Sequence, residues 1–262
     1  MAIIRYDMFK IERTGHLATI TLSRPEKLNS LTSRMTAELH AALDELSKEN
    51  NVRVVILTGS GRGFCSGADV NELLEKPEAP SDNIRESSLN ALSYHIRRNQ
   101  QPVIAAINGV AAGAGLAIAL ASDIRLASEE ASFSCIFIKR SFVPDAGSSY
   151  TLQRLVGLGI AMEMALTGNI YDASWALEKG LVNRVVPADR LMEEAMELAN
   201  IIASNPPLCV RSTREILYDN DEDLFGVLEK ESASNIILGS SEDSIESVNS
   251  FLEKRPPVYR GR

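Results

Sequence analysis

An α/β fold with an α-rich C-terminal part is predicted by three features of the sequence. Strand-like and helical runs alternate through the first half, a buried-strand pattern followed by a glycine-rich loop occurs twice, and helical patterns dominate from Ala161 onward. Residues 9–12 and 16–22 read as two strands joined at Thr14-Gly15, and Arg24-Pro25 ends the second. Over residues 33–47, apolar side chains recur at Met35, Leu39, Ala42 and Leu46, the spacing of one helix face. Residues 52–58 are rich in β-branched side chains, as suits a strand covered on both faces, and lead into the flexible Gly59-Ser60-Gly61. Residues 103–107 repeat that pattern, 108–115 form a glycine- and alanine-rich turn, and a helix of small residues begins over 116–122. A short run at 131–133 precedes a loop around Pro144-Asp145-Ala146-Gly147 and a helix over 148–155. The later helices are broken at Gly168-Asn169, Gly180 and Asn205-Pro206-Pro207, while 76–82, with two prolines, reads as a surface loop.

A chain of 262 residues, 45% hydrophobic, can bury one main core with a helical appendage, which divides it into a core over 1–195 and a C-terminal helical region over 196–262. The formal charge of -8 speaks against nucleic acid as a partner, because phosphate binding relies on clustered lysine and arginine. Cys65, Cys135 and Cys209 are widely spaced and odd in number, which suits neither a disulfide framework nor a metal site. Arg5, Asp7 and Lys10 interrupt the N-terminus, and no run reaches the roughly 18 apolar residues of a membrane span. The expectation is a cytoplasmic protein with no membrane partner.

Two loops carry the chemistry. Gly63-Phe64-Cys65-Ser66-Gly67-Ala68-Asp69-Val70 follows the first buried strand and opens a predicted helix, and Asn108-Gly109-Val110-Ala111-Ala112-Gly113-Ala114-Gly115 does the same after the second. Unpaired N–H groups at such a turn attract developing negative charge, and two converging on one oxygen make an oxyanion hole. Taken singly, each glycine motif is equally explained as a tight strand-to-helix turn.

Gly67-Ala68-Asp69, Ala106-Ile107-Asn108-Gly109-Val110-Ala111, Ala121-Ser122-Asp123-Ile124-Arg125 and Leu166-Thr167-Gly168 resemble the crotonase, or enoyl-CoA hydratase/isomerase, superfamily. The likeness runs from about Phe9 to Lys254-Arg255-Pro256-Pro257. It implies a spiral of repeated ββα units with a helical C-terminal region that mediates trimerisation, often within a hexamer. It further implies an acyl-coenzyme A thioester as the substrate, no separate cofactor, and an oxyanion hole made by the N–H groups of Ala68 and Ala114. Ser66, Gly67, Asp69 and Gly113 would then flank the thioester, and Phe137 the acyl chain. Lys27, in Arg24-Pro25-Glu26-Lys27-Leu28, lies where relatives bind the nucleotide end, with Lys254 and Arg255 approaching from a neighbouring subunit. Without the resemblance, Lys27 reads as a solvated surface lysine.

Hydratases of this superfamily use two glutamates, whose positions here hold Ala117 and Phe137, neither able to move a proton. A third position, used by isomerases that shift a β,γ double bond to α,β, holds Asp145. Burial beside the acyl chain, with Phe137, Phe142 and Tyr150 near in sequence, would raise its pKa. On the residues alone, a cap or turn role before the helix at Ser148 is the favoured reading of Asp145, and the absence of both glutamates reverses that order. The active-site pattern is thus closest to enoyl-CoA isomerases, with Asp145 as acid/base. The loop is also similar to that of 4-chlorobenzoyl-CoA dehalogenase, although Asn90 stands where that enzyme has its histidine and Phe137 where it has a tryptophan. Alternatives are a hydrolase or dehalogenase using Asp145, an atypical hydratase, and a noncatalytic acyl-CoA-binding protein. His95 reads as a surface residue with a lesser prospect of reaching the site, Cys65 and Cys135 as buried packing, and Trp175 as packing.

Overall fold

The computed structural model describes residues 2–72, 89–205, 207–218 and 239–257, together with positions 228, 232 and 236. The loop expected at 76–82 and the Cys209 side chain lie outside the described residues.

Among the described residues, eleven strands build two sheets. In chain order they are β1 (Ala2–Arg5), β2 (Phe9–Thr14), β3 (Leu17–Leu22), β4 (Val54–Gly59), β5 (Gly63–Cys65), β6 (Val103–Ile107), β7 (Val110–Ala112), β8 (Ile124–Ser128), β9 (Ser132–Ser134), β10 (Tyr171–Asp172) and β11 (Arg184–Val186). The larger sheet has the order β1-β2-β3-β4-β6-β8-β11 and the smaller β10-β9-β7-β5. The first three strands pair antiparallel, whereas β3, β4, β6, β8 and β11 pair parallel, as do β5, β7 and β9. Each repeat therefore places one strand in the large sheet and the next in the small one, then crosses back, so successive repeats stack in both sheets.

The described α-helices are α1 (Ser33–Lys48), α2 (Ala91–Arg98), α3 (Ala114–Ala121), α4 (Ser148–Val156), α5 (Leu158–Thr167), α6 (Ala173–Glu178), α7 (Leu191–Ala203), α8 (Pro207–Tyr218) and α9 (Glu242–Leu252). The α1 helix begins where the Thr32 side chain accepts from the Met35 N–H, and it buries Met35, Leu39, Ala42, Leu43 and Leu46. All eight residues of α3 are buried, which explains its small side chains. Both faces of β4 and β6 are covered: Val55, Leu57, Val103 and Ala105 join the main core, while Val54, Ile56, Ile104 and Ala106 pack with Leu191, Ala195 and Ala199 of α7. Continuous apolar runs are what such doubly covered parallel strands require. The expected division at 195/196 falls inside α7, a helix that packs on the sheet.

Arg214 of α8 ties the C-terminal helices to this core. Its guanidinium donates to Asp123 at 2.9 Å and to the carbonyls of Asn99 (2.7 Å) and Ile96 (3.1 Å) at the end of α2. The Asp123 carboxylate also accepts from the Val103 N–H and from the Tyr218 hydroxyl, whose pKa burial and the facing carboxylate push up to about 12. Arg214→Ala strands a mostly buried carboxylate, so it is expected to destabilise the protein by about 3 kcal/mol in urea unfolding.

Candidate active site

One cavity of about 550 Å³ opens between the two glycine loops, the Asp145 loop and the C-terminal helix α9. Every site residue expected from sequence lines it except Lys254: Lys27, Ser66, Gly67, Ala68, Asp69, Gly113, Ala114, Phe137 and Asp145 are all present. Lys254 is exposed at the end of α9 and does not line the cavity of its own chain, and Arg255 is bonded to Glu246 and Glu253.

The first loop runs as an extended edge over its described part. Gly63–Cys65 is β5, Ala68 makes a parallel bridge with Leu31, and the helix expected after Val70 falls on residues outside the description. The Leu31 N–H donates to the Gly67 carbonyl and the Asp69 N–H to the Leu31 carbonyl, both at 2.8 Å. Alternation along an extended chain therefore leaves the Ala68 N–H on the opposite edge. Ala114 opens α3, two residues earlier than the helix expected from sequence, and its N–H belongs to the first turn, where no intrahelical acceptor exists.

The two loops touch. A Cβ added to Gly67, at φ +104°, would lie 3.0 Å from the Ala112 carbonyl oxygen and 3.4 Å from the Ala114 nitrogen. One added to Gly113 would lie 3.9 Å from the Gly67 Cα and 4.0 Å from Phe137. Gly115 lets α3 cross β5 in contact, since its Cβ would sit 1.9 Å from the Cys65 carbonyl oxygen. Glycine at 67 and 115 is thus a condition of the close approach of the two loops.

Asp145 enters from the segment between a 3-10 turn (Ile136–Arg140) and α4. It is half-buried, with Phe137 and Phe142 among the apolar residues of the same cavity. The cap position of α4 is Gly147, at φ +76°, and Asp145 serves the first turn through its backbone carbonyl, which accepts from the Ser148 N–H (2.9 Å) and Oγ (2.7 Å). The Asn90 side chain accepts from the Ala146 N–H at 3.3 Å, so α2 braces this loop. Tyr150 does not line the cavity; it lies under the Arg154 guanidinium, 3.4 Å from its ring centre.

Other ionisable groups have structural work. Arg24 donates to the Asp69 carboxylate at 2.8 Å, and Ser30 and Asn71 also bond to it. Burial opposes that charge, but these bonds outweigh it and hold the Asp69 pKa below the usual carboxylate value. Burial pushes the Cys65 thiol up to about 12, so it stays protonated and packs as a small apolar group. His95 bonds Asp44 and stacks on His40, with ring centres 4.4 Å apart, in the α1–α2 contact, while His16 meets the Asn51 carbonyl. None of these three histidines lines the cavity. Trp175 packs on Tyr171 with ring centres 4.0 Å apart. Among the described residues no cluster of histidine, cysteine and carboxylate is placed to hold a metal, and no helix is long and apolar enough to cross a membrane.

Sequence reasoning missed Arg24, Arg62, Arg140, Phe251 and Leu252. The last four line the cavity, and Arg140 places its guanidinium 4.0 Å from the Phe251 ring centre. Only Arg24, adjoining Pro25 in a motif already singled out, carried a local signal.

The enoyl-CoA hydratase/isomerase family profile matches residues 12–262. The chain is 36% identical to 1,2-epoxyphenylacetyl-CoA isomerase of Escherichia coli (strain K12) over 248 residues, covering 93% of this chain and 95% of that one. It is 34% identical to 2,3-dehydroadipyl-CoA hydratase of the same organism, covering 96% and 98%. Among solved structures, an enoyl-CoA hydratase/isomerase from Pseudoalteromonas atlantica T6c superposes with a TM-score of 0.90 at 30% identity, covering 97% of this chain and 100% of that one. With the stacked β-β-helix repeats and the paired glycine loops, these matches make the chain a member of the enoyl-CoA hydratase/isomerase family, with the crotonase fold.

Proposed function

We propose that this protein is a double-bond isomerase of enoyl-CoA thioesters, moving a β,γ double bond to α,β with Asp145 as acid and base. The observation that carries the reading is the fate of the carboxylates lining the cavity. Glu26 sits on the exposed turn beside Lys27, Asp69 is bound to Arg24, and Asp145 shares the interior with Phe137 and Phe142. Ala117 and Phe137 occupy the positions at which the resemblance expects the glutamates of a hydratase. One relative is named an isomerase, of an epoxide and not of a double bond, and another a hydratase, so the relatives' names support acyl-CoA chemistry of this family and the carboxylates carry the choice within it.

The reaction needs one base and one electrophilic site. The Ala68 and Ala114 amides receive the thioester oxygen, and Asp145 removes a proton from the α carbon. The electron pair passes through the enolate to the γ carbon, where the same carboxyl returns the proton. Charge developing on oxygen is what the hole binds more tightly than the ground state, and one such donor contributes about 3 kcal/mol. The reaction requires no cofactor. Lys27 meets the nucleotide phosphates, and Lys254 serves the cavity of a neighbouring subunit in a trimer or hexamer. The dehalogenase reading loses support because the three histidines lie elsewhere.

The test supplies trans-3-hexenoyl-CoA and trans-2-hexenoyl-CoA in separate reactions. The 3-enoyl thioester is expected to convert to the 2-enoyl isomer without change of mass. Addition of water as the faster reaction would overturn the reading in favour of a hydratase, and absence of turnover in favour of a binding protein.

A further inference from the structure

Residues 24–31 form one backing strip for the oxyanion edge. The Ser66 N–H donates to the Leu28 carbonyl at 3.0 Å, and Gly67 and Asp69 share the Leu31 bridge. The Ser66 hydroxyl donates to the Lys27 carbonyl at 3.2 Å. Arg24 closes the arrangement: one guanidinium nitrogen donates to the Ser30 carbonyl at 2.6 Å and the other to the Asp69 carboxylate at 2.8 Å. Both partners of this ion pair are mostly buried, with side chains 16% and 7% exposed.

The strip is also stiff. Leu28 and Asn29 are consecutive non-glycine residues at positive φ, 50° and 56°, a conformation that persists only when its surroundings enforce it. Asn29 supplies the enforcement: its side-chain oxygen accepts from the Arg24 N–H at 2.8 Å, and its amide donates to the carbonyls of Ser60 (2.9 Å) and Gly63 (2.7 Å). Lys27 rides on this same turn at the cavity wall, so the nucleotide end of the substrate and the Ala68 amide share one rigid mount.

We infer that Arg24, through its ion pair with Asp69, is a positioning residue that couples binding at the nucleotide end of the substrate to the aim of the Ala68 amide. The inference rests on the proposed oxyanion role of Ala68. Arg24 does not line the cavity, so it acts through Asp69, the residue that follows the donor. Binding energy from a non-reacting part of a substrate raises kcat when it is spent on orientation at the reacting centre, and a shared mount is a physical route for that spending.

The experiment compares trans-3-hexenoyl-CoA with trans-3-hexenoyl-pantetheine, which has the same acyl group and thioester but no nucleotide. Isomerisation is measured for the wild type, Asp69→Asn and Arg24→Lys, with a melting curve for each. The wild type is expected to turn over the CoA thioester with a kcat about tenfold above that of the short thioester. In both variants that ratio is expected to fall to within about twofold, through loss of kcat on the CoA thioester and with KM changed less than about threefold. A staple that only holds the fold would lower the melting temperature and leave the ratio intact, which overturns the inference. It is equally overturned if both variants fail to fold, or if the wild type turns over the two thioesters equally. If the wild type isomerises neither thioester, the parent reading fails and takes the inference with it.

Discussion

Asp145→Asn is expected to lower kcat for isomerisation of trans-3-hexenoyl-CoA about 10⁴-fold, roughly 5.5 kcal/mol of barrier, with KM within about twofold of wild type. Asparagine matches aspartate in size but cannot take up a proton, so α-proton removal has no acceptor. Binding survives because the variant leaves the amides of Ala68 and Ala114 in place. The loop survives too: its bonds to Ser148 come from the Asp145 backbone carbonyl, which the substitution leaves untouched. Steady-state kinetics with a melting curve check the prediction, and normal turnover by the variant would remove Asp145 from the mechanism.

Ala114→Pro addresses the other half of the site, and the expected loss is about 10³-fold in kcat, or roughly 4 kcal/mol. Proline has no N–H, so it deletes the donor outright. It is tolerated at the first position of a helix, where the N–H takes no part in the helical ladder. The preceding residue is Gly113 at φ 53° and ψ -126°, and without a Cβ it crowds the proline ring least. Helix content by circular dichroism is therefore expected to match wild type while turnover collapses. Retained turnover in a folded variant would show that the Ala114 amide does not serve the reaction.

The parts of the fold legible in the sequence are those where one pattern has one physical cause. Residues 54–57 and 103–107 are apolar throughout because main core and α7 cover opposite faces. β8 was missed because Arg125 interrupts its apolar pattern; the structure buries that side chain by donating its guanidinium to the carbonyls of Leu181 and Ser122. β1, β10 and β11 are four residues or fewer, too short for periodicity to register. Ala68, Ala114 and Asp145, singled out through the motifs, all line the cavity. Phe251 and Leu252 reach the cavity from α9 across the whole length of the chain, and nothing local to them marks a pocket wall. Asp69 shows the limit of motif reading: it lies where a substrate contact was expected, yet its carboxylate is engaged by Arg24, Ser30 and Asn71, a role visible only from its partners.

The most direct test is a crystal structure of the Asp145→Asn variant with trans-3-hexenoyl-CoA bound. The amide nitrogens of residues 68 and 114 should both lie about 2.7–3.1 Å from the thioester oxygen. The side chain of residue 145 should reach the α carbon from the Phe137 side of the cavity. A thioester oxygen turned away from either amide, or an α carbon facing solvent instead of residue 145, would contradict the account.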